Sequence, residues 1–207
     1  NVNNTDRRVL DTSITQHALS MMEENVEFVN RKSTVLFHAE WHKGVIGIVA
    51  SRLIEKYYKP TIVLTESNGK ATGSARSVKD FDVYNAIEAC SDLLEQFGGH
   101  KYAAGLTLKL ENVEAFKQRF EEVVSAAIEE HMLVPEIEID AEINLEDITP
   151  KFYRILKQFE PFGNGNMAPV FLTQHLVEKG YAKIVGTNHL KLDLHAVNNP
   201  AIKFPAI

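Results

Sequence analysis

The sequence has little of several features that define whole classes of protein. Its 207 residues include a single cysteine, Cys90, which excludes an internal disulfide and any zinc site built on cysteines. No run approaches the roughly 18 apolar residues that a membrane span requires. Residues 1–8 (NVNNTDRR) also lack the apolar stretch and cleavage site of a signal peptide. We therefore expect a cytoplasmic protein without membrane contact, in which Cys90 is a small buried side chain rather than a reactive thiol.

Positive charge is also scarce, since 22 Lys and Arg residues oppose 28 Asp and Glu, for a formal net charge of −6. The acids are concentrated in residues 111–147, which hold twelve acids and two bases. That segment carries −10, so the rest of the chain sums to +4. There is no long Lys/Arg tract of the kind that gives strong non-specific DNA affinity. Any contacts to phosphate must be few and specific.

The first 130 residues show the pattern of an α/β domain. Apolar residues recur at helical spacing over about 6–24 and 45–58, and β-rich runs cover 33–40 and 61–65. This β-α-β order predicts a sheet with a parallel pair. The sequence further predicts an extended segment at 70–77, a strand at 103–110, and two helices. One helix runs from an N-cap at Asp82 to Phe97 and ends at Gly98 and Gly99, and the other begins at Asn112 and continues to about residue 130.

The pattern changes near residues 131–135, where we expect a boundary. Residues 137–143 alternate between apolar and acidic side chains and predict one strand. Thr149 followed by Pro150 predicts the start of a short helix. The rest reads as β-structure at 170–172, 177–185, 189–194 and 202–207, and three or four strands cannot close a small barrel. Both ends of the chain look cut from a longer polypeptide.

Two short segments carry residues suited to binding an anion. In Gly73–Ser77 (GSARS), small residues allow close approach, the Ser74 hydroxyl can bond a phosphate oxygen, and Arg76 offers a planar cationic fork. A strand edge with a solvated arginine is the alternative. In Gly98–Gly99–His100, one glycine is enough to cap a helix, so the second suggests a close backbone approach. His100 can donate to phosphate or act as an acid or base, and a structural turn with an exposed histidine is the alternative.

A third candidate is His42, which precedes the predicted helix at 45–58. A helix N-terminus presents free amides and partial positive charge, which suit an anion. Gly47 on the first turn of that helix is better explained by tight packing. The remaining histidines show no metal-ligand spacing and are expected to be structural or solvent-exposed: His17, His38, His131, His175, His189 and His195. The sequence contains no P-loop, GxGxxG motif or serine nucleophile elbow.

Six segments together resemble the C-terminal part of the RecJ family, the single-strand-specific 5′→3′ exonucleases of the DHH phosphoesterase superfamily. They are WHKGVIGIVASRL with KPTIVLT, GSARS, FDVYNAIEAC, LEQFGGHKYAAGLTL, EPFGNGN with PVF, and VGTNHLKLDL. They occur in the family's order and extend across nearly the whole chain. Met167 departs from the family pattern, in which a proline usually stands at this position.

The resemblance implies a DHH-associated substrate-binding domain with a mixed β-sheet flanked by helices at residues 1–132. It implies a linking strand and helix at 133–160 and a partial oligonucleotide-binding (OB) domain at 161–207. Metal ligands, including the Asp-His-His motif, belong to an N-terminal DHH domain, so Mn²⁺ or Mg²⁺ is expected there and no metal on this chain. The isolated chain is accordingly expected to be inactive. Implied partners are single-stranded DNA, the DHH domain, and proteins of the single-strand-binding or helicase type.

By the same resemblance, Ser74, Arg76 and His100 hold substrate phosphates. Together with Gly98, Gly99 and His42, which are candidates from their residue types and positions, they form the predicted phosphate-binding set. His100 also helps to neutralise transition-state charge, as a supporting catalytic residue. The expected function is the substrate-binding part of an exonuclease acting in DNA repair and recombination. Two alternatives remain open: a DHH-type phosphodiesterase for short RNA or cyclic dinucleotides, and a non-catalytic module that binds single-stranded nucleic acid.

Overall fold

The computed structural model describes residues 4–25 and 27–207, and the chain divides into two compact units, Asn1–Pro135 and Glu136–Ile207. The helices of the first unit are α1 (Asn4–Glu24), α2 (Glu27–Asn30), α3 (Ile46–Tyr57), α4 (Val83–Glu88) and α5 (Val113–Ala127). Its strands are β1 (Thr34–Phe37), β2 (Thr61–Ser67), β3 (Lys70–Arg76), β4 (Gln96–His100) and β5 (Ala103–Lys109). Short 3₁₀ turns occupy Ser91–Leu93, Leu110–Asn112 and Glu130–Leu133.

The five strands form one mixed sheet in the order β1-β2-β3-β5-β4. β1 and β2 are parallel and the other neighbours are antiparallel. The prediction of a mixed sheet with a parallel pair, flanked by helices, is therefore confirmed. A parallel pair needs a crossover connection, and α3 supplies it.

Alternate residues of β2 enter the two cores of this unit, as the period of two in a strand requires. Ile62 and Leu64 pack with α4 and α5 on one face. Val63 packs with α1 and α3 on the other. The sheet is thus sandwiched between two helical layers, and Cys90 is completely buried in the α4/α5 core.

A partly buried anchor, the Glu121 carboxylate, joins α5 to the residues that precede β1. The Glu121 carboxylate accepts hydrogen bonds from the backbone N–H of Lys32 at 2.8 Å and of Ser33 at 2.9 Å. It also accepts from the hydroxyls of Ser33 and Ser125. One side chain therefore satisfies two backbone donors where β1 begins, almost ninety residues earlier in the chain.

The helix predicted from Asp82 to Phe97 is wrong beyond its first half. Asp82 caps α4 as predicted, by accepting from the backbone N–H of Asn85, but α4 ends at Glu88. Gln96 and Phe97 instead pair with Thr107 and Leu106 on β5. The partner strand satisfies the backbone groups that a longer helix would have used.

The cap predicted at Asn112 is also incorrect in its chemistry. Asn112 occupies the N-cap position of α5 but makes no side-chain capping bond. Its amide donates to the carbonyl of Leu93 instead. The side chain thus ties α5 to the turn that follows α4.

The second unit contains one helix and short strands. The helix is α6 (Pro150–Leu156), capped by Thr149 as predicted. The strands are β6 (Ala141–Glu142), β7 (Phe171–Leu172), β8 (Leu176–Glu178), β9 (Lys183–Val185), β10 (His189–Ala196) and β11 (Lys203–Ala206). β10 is central, with β11 on one side and β8 and β9 on the other, and β6 pairs with β7.

Two strand predictions in this unit need correction. The strand expected over 137–143 is reduced to Ala141–Glu142, because its parallel partner β7 is only two residues long. Pro169, which lacks a backbone N–H, precedes that partner, and a proline cannot extend a ladder. The strand expected over 177–185 is broken at Gly180 (φ 85°), where the Glu178 carboxylate accepts from the backbone N–H of Gly180 and Tyr181.

Candidate functional site

The sheet register brings four of the six predicted binding residues to one face. Arg76 lies opposite Ala103 on β5, and His100 lies opposite the same Ala103 from β4. In the next row, Ser74 and Gly98 both face Gly105. Residues in one row share a face, so these side chains project to the same side. Arg76 and His100 are two strand spacings apart, about 10 Å between their Cα atoms.

Between Arg76 and His100, the residues on this face of the sheet have small side chains or none. Ala103 has only a methyl group, and Gly98 and Gly105 have no side chain. An ideal Cβ at Gly98 would meet no atom within 4 Å. A shallow depression continues along the strands over Gly98 and Gly105, with Thr72, Gln96 and Thr107 at its sides. A ligand backbone can therefore approach the sheet closely here.

Arg76 is the electrostatic centre of this face. Its Nη1 donates to Ser74 Oγ at 2.9 Å and to the carbonyl of Ala75 at 2.7 Å. Within the described part of the chain, the half-buried guanidinium has no carboxylate partner. A planar, permanent cation held without a counter-ion is well suited to a phosphate or carboxylate ligand. Ser74 accepts from Arg76 and keeps its own hydroxyl proton for such a ligand.

The first turn of α3 presses against this pair. An ideal Cβ on Gly47 would lie 2.9 Å from Arg76 Nη2 and 3.0 Å from Ser74 Oγ. The absence of a side chain at Gly47 therefore lets the guanidinium lie directly against α3, which agrees with the packing role inferred from the sequence. The contact fixes where the guanidinium can lie.

His100 is exposed at the end of β4. Its Nδ1 accepts from the backbone N–H of Tyr102 at 3.3 Å. The neutral ring then carries its proton on Nε2, where it can be donated to an anion. Lys101 and Tyr102 form the turn after His100, with the Lys101 ammonium 5.4 Å from the centre of the Tyr102 ring. This positive charge beside His100 was not singled out from the sequence.

Gly99 faces the other way. It alternates with Gly98 and His100 along β4, and an ideal Cβ there would lie 2.3 Å from the carbonyl oxygen of Ala103. Its φ of 153° is one that L-residues rarely adopt. Gly99 therefore serves the close pairing of β4 with β5. Its predicted role in the phosphate-binding set is not supported by this position, and the predicted helix end at these glycines is wrong.

His42 lies in the turn that leads into α3. Its Nδ1 accepts from the backbone N–H of Gly44 at 3.1 Å, and its side chain is exposed. α1 also reaches this turn, since Arg7 donates to the carbonyl of Gly44. His42 thus adjoins the helix whose Gly47 touches Arg76, but it is not part of the row of Arg76, Ala103 and His100.

The described residues contain no group of three or more His, Cys, Asp or Glu side chains able to hold a metal ion. The residues present therefore do not fit a resident metal. Among the same residues, no helix is both long and apolar enough to cross a membrane.

The fold and the comparisons with known proteins agree. The DHHA1 domain model matches residues 29–126, and the RecJ OB domain model matches residues 139–207. The chain is thus a DHHA1 domain joined to an OB domain, and the sheet face described above lies in the first of these.

Similar proteins identify the family more specifically than the two domain models do. The single-stranded-DNA-specific exonuclease RecJ of Bacillus subtilis is 35% identical over 195 residues, 92% of this chain and 24% of that protein. The protein of the same name from Escherichia coli is 29% identical over 202 residues, 94% of this chain and 34% of that protein. The chain belongs to the RecJ family, and it spans about a quarter to a third of the length of these relatives.

Solved structures give the same result. The crystal structure of RecJ from Thermus thermophilus in complex with Mn²⁺ matches with a TM-score of 0.79 and 28% identity, over 98% of this chain and 28% of that chain. The structure of RecJ from the same organism with Mg²⁺ matches with a TM-score of 0.77 and 30% identity, over 93% of this chain and 29% of that chain. The resemblance inferred from the sequence motifs is confirmed.

Proposed function

We propose that this chain is the substrate-binding portion of a metal-dependent, single-strand-specific 5′→3′ DNA exonuclease that acts in DNA repair and recombination. The observation that carries the proposal is the row formed by Arg76, Ala103 and His100. An arginine with no carboxylate partner among the described residues and a histidine with a free Nε2 project from the same sheet face, over a floor made only of Ala103 and glycines. Such a face binds a chain of phosphates and leaves the bases unread.

Each residue has a defined task in this proposal. Arg76 binds a non-bridging phosphate oxygen through the nitrogens that make no internal hydrogen bond, and Ser74 Oγ donates to the same group. His100 donates from Nε2 to the scissile or a neighbouring phosphate and offsets negative charge as it develops. His42 adjoins the N-terminus of α3, whose free amides favour an anion.

The catalytic metals are assigned to another domain. We propose that Mn²⁺ or Mg²⁺ is held by a DHH domain that faces this surface and supplies the water-activating chemistry. The residues of this chain bind and orient the substrate and contribute hydrogen bonds. Separating the two tasks explains why a face so well suited to phosphate has no metal-binding carboxylates among the described residues.

The remaining assignments complete the proposal. Residues 1–132 are the DHH-associated domain, 133–160 the link, and 161–207 the OB-type portion that guides the strand. The RecJ OB match favours a long single strand over short RNA or a cyclic dinucleotide. We place the protein in the cytoplasm, with single-strand-binding or helicase-type proteins as partners.

The test uses the full-length enzyme that contains this chain. Arg76→Ala and His100→Ala should each lower the rate of mononucleotide release from 5′-phosphorylated single-stranded DNA by about tenfold to a hundredfold, because each removes a charge-assisted contact of roughly 1.5 to 3 kcal/mol. The melting temperature should change little, since neither side chain is fully buried. Arg119→Ala, an exposed arginine beside Asp92 and Glu122, is the matched control. Turnover near wild type with either site variant would return that residue to a structural role.

A further inference from the structure

We propose that α6 and the turn that follows it form a second contact for single-stranded nucleic acid, made by three cations and two aromatic rings. This contact lies in the second unit, apart from the sheet face of Arg76 and His100. It rests on the proposed function only in its choice of ligand, a single strand.

The charge of this segment differs sharply from what precedes it. Residues 111–147 carry −10, whereas residues 148–160 contain Lys151, Arg154 and Lys157 and one acid, Glu160, a net charge of +2. The three cations are spaced three residues apart, so each is a neighbour of the next on the surface of one helical segment. All three side chains are exposed.

None of the three is neutralised within the described part of the chain. Lys151 and Arg154 have no carboxylate partner, and the ammonium of Lys157 lies 5.3 Å from the centre of the Tyr153 ring. The nearest preceding acid, Asp147, is already engaged, because its carboxylate accepts from the backbone and side-chain amides of Asn144. The cations are therefore available to a polyanion.

Aromatic rings alternate with these cations. Tyr153 is 58% exposed and Phe159 is 60% exposed, so more than half of each residue is open to solvent. The helix is held by its other face, where Phe152 packs on Phe171 at 5.4 Å between ring centres. Tyr153 and Phe159 thus do not serve the core.

The turn after α6 holds Phe159 in place. The amide of Asn166 donates to the carbonyl of Phe159 at 2.8 Å and to that of Pro161 at 3.0 Å. Gly163 and Asn166 exchange two backbone hydrogen bonds. The EPFGNGN segment therefore fixes the backbone on which the second ring stands, and less conformational entropy is lost when a base stacks on it.

Exposed rings interleaved with unpaired cations are the chemistry of single-strand binding, in which bases stack and phosphates bind Lys or Arg. An acidic peptide would use the cations but would gain little from two exposed rings on which bases can stack. We therefore commit to a single strand of DNA or RNA as the occupant.

The experiment measures binding of the 207-residue chain to fluorescein-labelled (dT)20 by anisotropy between 50 and 200 mM salt. Replacing Lys151, Arg154 and Lys157 together with alanine should weaken binding and lower the slope of log K against log salt by about 2, since each single-strand phosphate contact contributes about 0.7. The control replaces Lys56, Lys109 and Arg119, three exposed cations that each lie beside a carboxylate. It removes the same charge and should leave the slope unchanged.

A second set of variants distinguishes the contribution of base stacking from that of charge. Tyr153→Leu and Phe159→Leu should each weaken binding of (dT)20 by about tenfold, and have no effect on an abasic strand of equal length. Equal loss on both strands, or a slope that the α6 triple variant does not change, overturns the proposal. So does tighter binding of a labelled decaglutamate peptide than of (dT)20. Because Arg76→Ala is measured in parallel, loss with Arg76→Ala but not with the α6 variants overturns this second contact and leaves the proposed function standing.

Discussion

The guanidinium of Arg76 rests on Gly47, so closely that an added Cβ would stand 2.9 Å from Nη2. The atom it would meet is the end of a long side chain, which can move, whereas the helix backbone cannot. The position of the Arg76 guanidinium is therefore set in part by a residue that has no side chain.

The Gly47→Ala substitution should lower activity without lowering stability. Alanine is favoured over glycine in a helix by about 1 kcal/mol, so the free energy of unfolding should stay equal or rise slightly. The displaced guanidinium should nevertheless bind phosphate less well, and exonuclease activity of the full-length enzyme should fall several-fold. Thermal melts and activity assays of the same preparation measure both. Glu55→Ala, at an exposed position of the same helix, should change neither the exonuclease activity nor the position of the Arg76 guanidinium.

Gly98 and Gly99 should respond oppositely to alanine. At Gly99 the new methyl would meet backbone atoms of Ala103 and Ala104, so the free energy of unfolding should fall by about 2 to 3 kcal/mol. At Gly98 nothing lies within 4 Å, so stability should change by less than about 0.5 kcal/mol. The Gly98 methyl would stand on the floor of the depression and should reduce DNA binding. Denaturant melts with anisotropy titrations distinguish the two, and a stable Gly99→Ala protein would contradict the close pairing of β4 with β5.

The isolated chain should show no metal-dependent nuclease activity and bind single-stranded DNA no tighter than the micromolar range at physiological salt. The −10 segment and the few unpaired cations allow only a few phosphate contacts, which also makes the salt dependence shallow. Incubation with 5′-phosphorylated DNA and Mn²⁺, followed by titration at several salt concentrations, checks both statements. Release of mononucleotides that survives repurification would contradict the division of tasks between domains.

Cys90 should make the stability of the first unit sensitive to alkaline pH. Burial raises the pKa of its thiol to about 11 from an ordinary 9.0, and the Arg119 charge opposes this only in part. Between pH 9 and pH 11, the Cys90 thiol loses its proton in the unfolded chain but keeps it in the folded chain. Stability is therefore lost as pH rises through this window, by up to about 1.4 kcal/mol per unit.

Urea melts between pH 8 and 11 should show this loss, and Cys90→Ala should have a shallower pH slope. Native protein at pH 8 should not react with a thiol reagent, while protein in guanidinium should react with one equivalent. Rapid labelling of the native protein would contradict the buried position.

Local signals predicted much of this fold. The crossover from β1 through α3 to β2, the extended β3, and the caps at Asp82 and Thr149 each depend on a few neighbouring residues, and the structure has them all. The end of α4 depends instead on strand β5, whose residues are distant in the sequence. Residues 89–97 keep an apolar pattern that suits a helix, but Ser91–Leu93 form a 3₁₀ turn and Gln96 and Phe97 pair with β5, a partner that no local pattern reveals.

The candidate site also combines features that local sequence predicts with features that depend on strand pairing. Ser74, Arg76 and His100 were identified by residue type and by family resemblance. Their common face follows only from the register that sets Ala103 opposite both Arg76 and His100. The same register excludes Gly99 from that face and adds Gly105, whose contribution is the absence of a side chain.

The Glu121 anchor has a consequence for biosynthesis. Ser33, where β1 begins, is held by a carboxylate 88 positions later in the chain. At ordinary translation rates, Glu121 is made about 4 to 18 s after Ser33. Until α5 is made, the backbone donors of Lys32 and Ser33 lack the carboxylate that binds them in the folded chain. The stabilisation of the start of β1 is therefore completed by the last α-helix of the first unit.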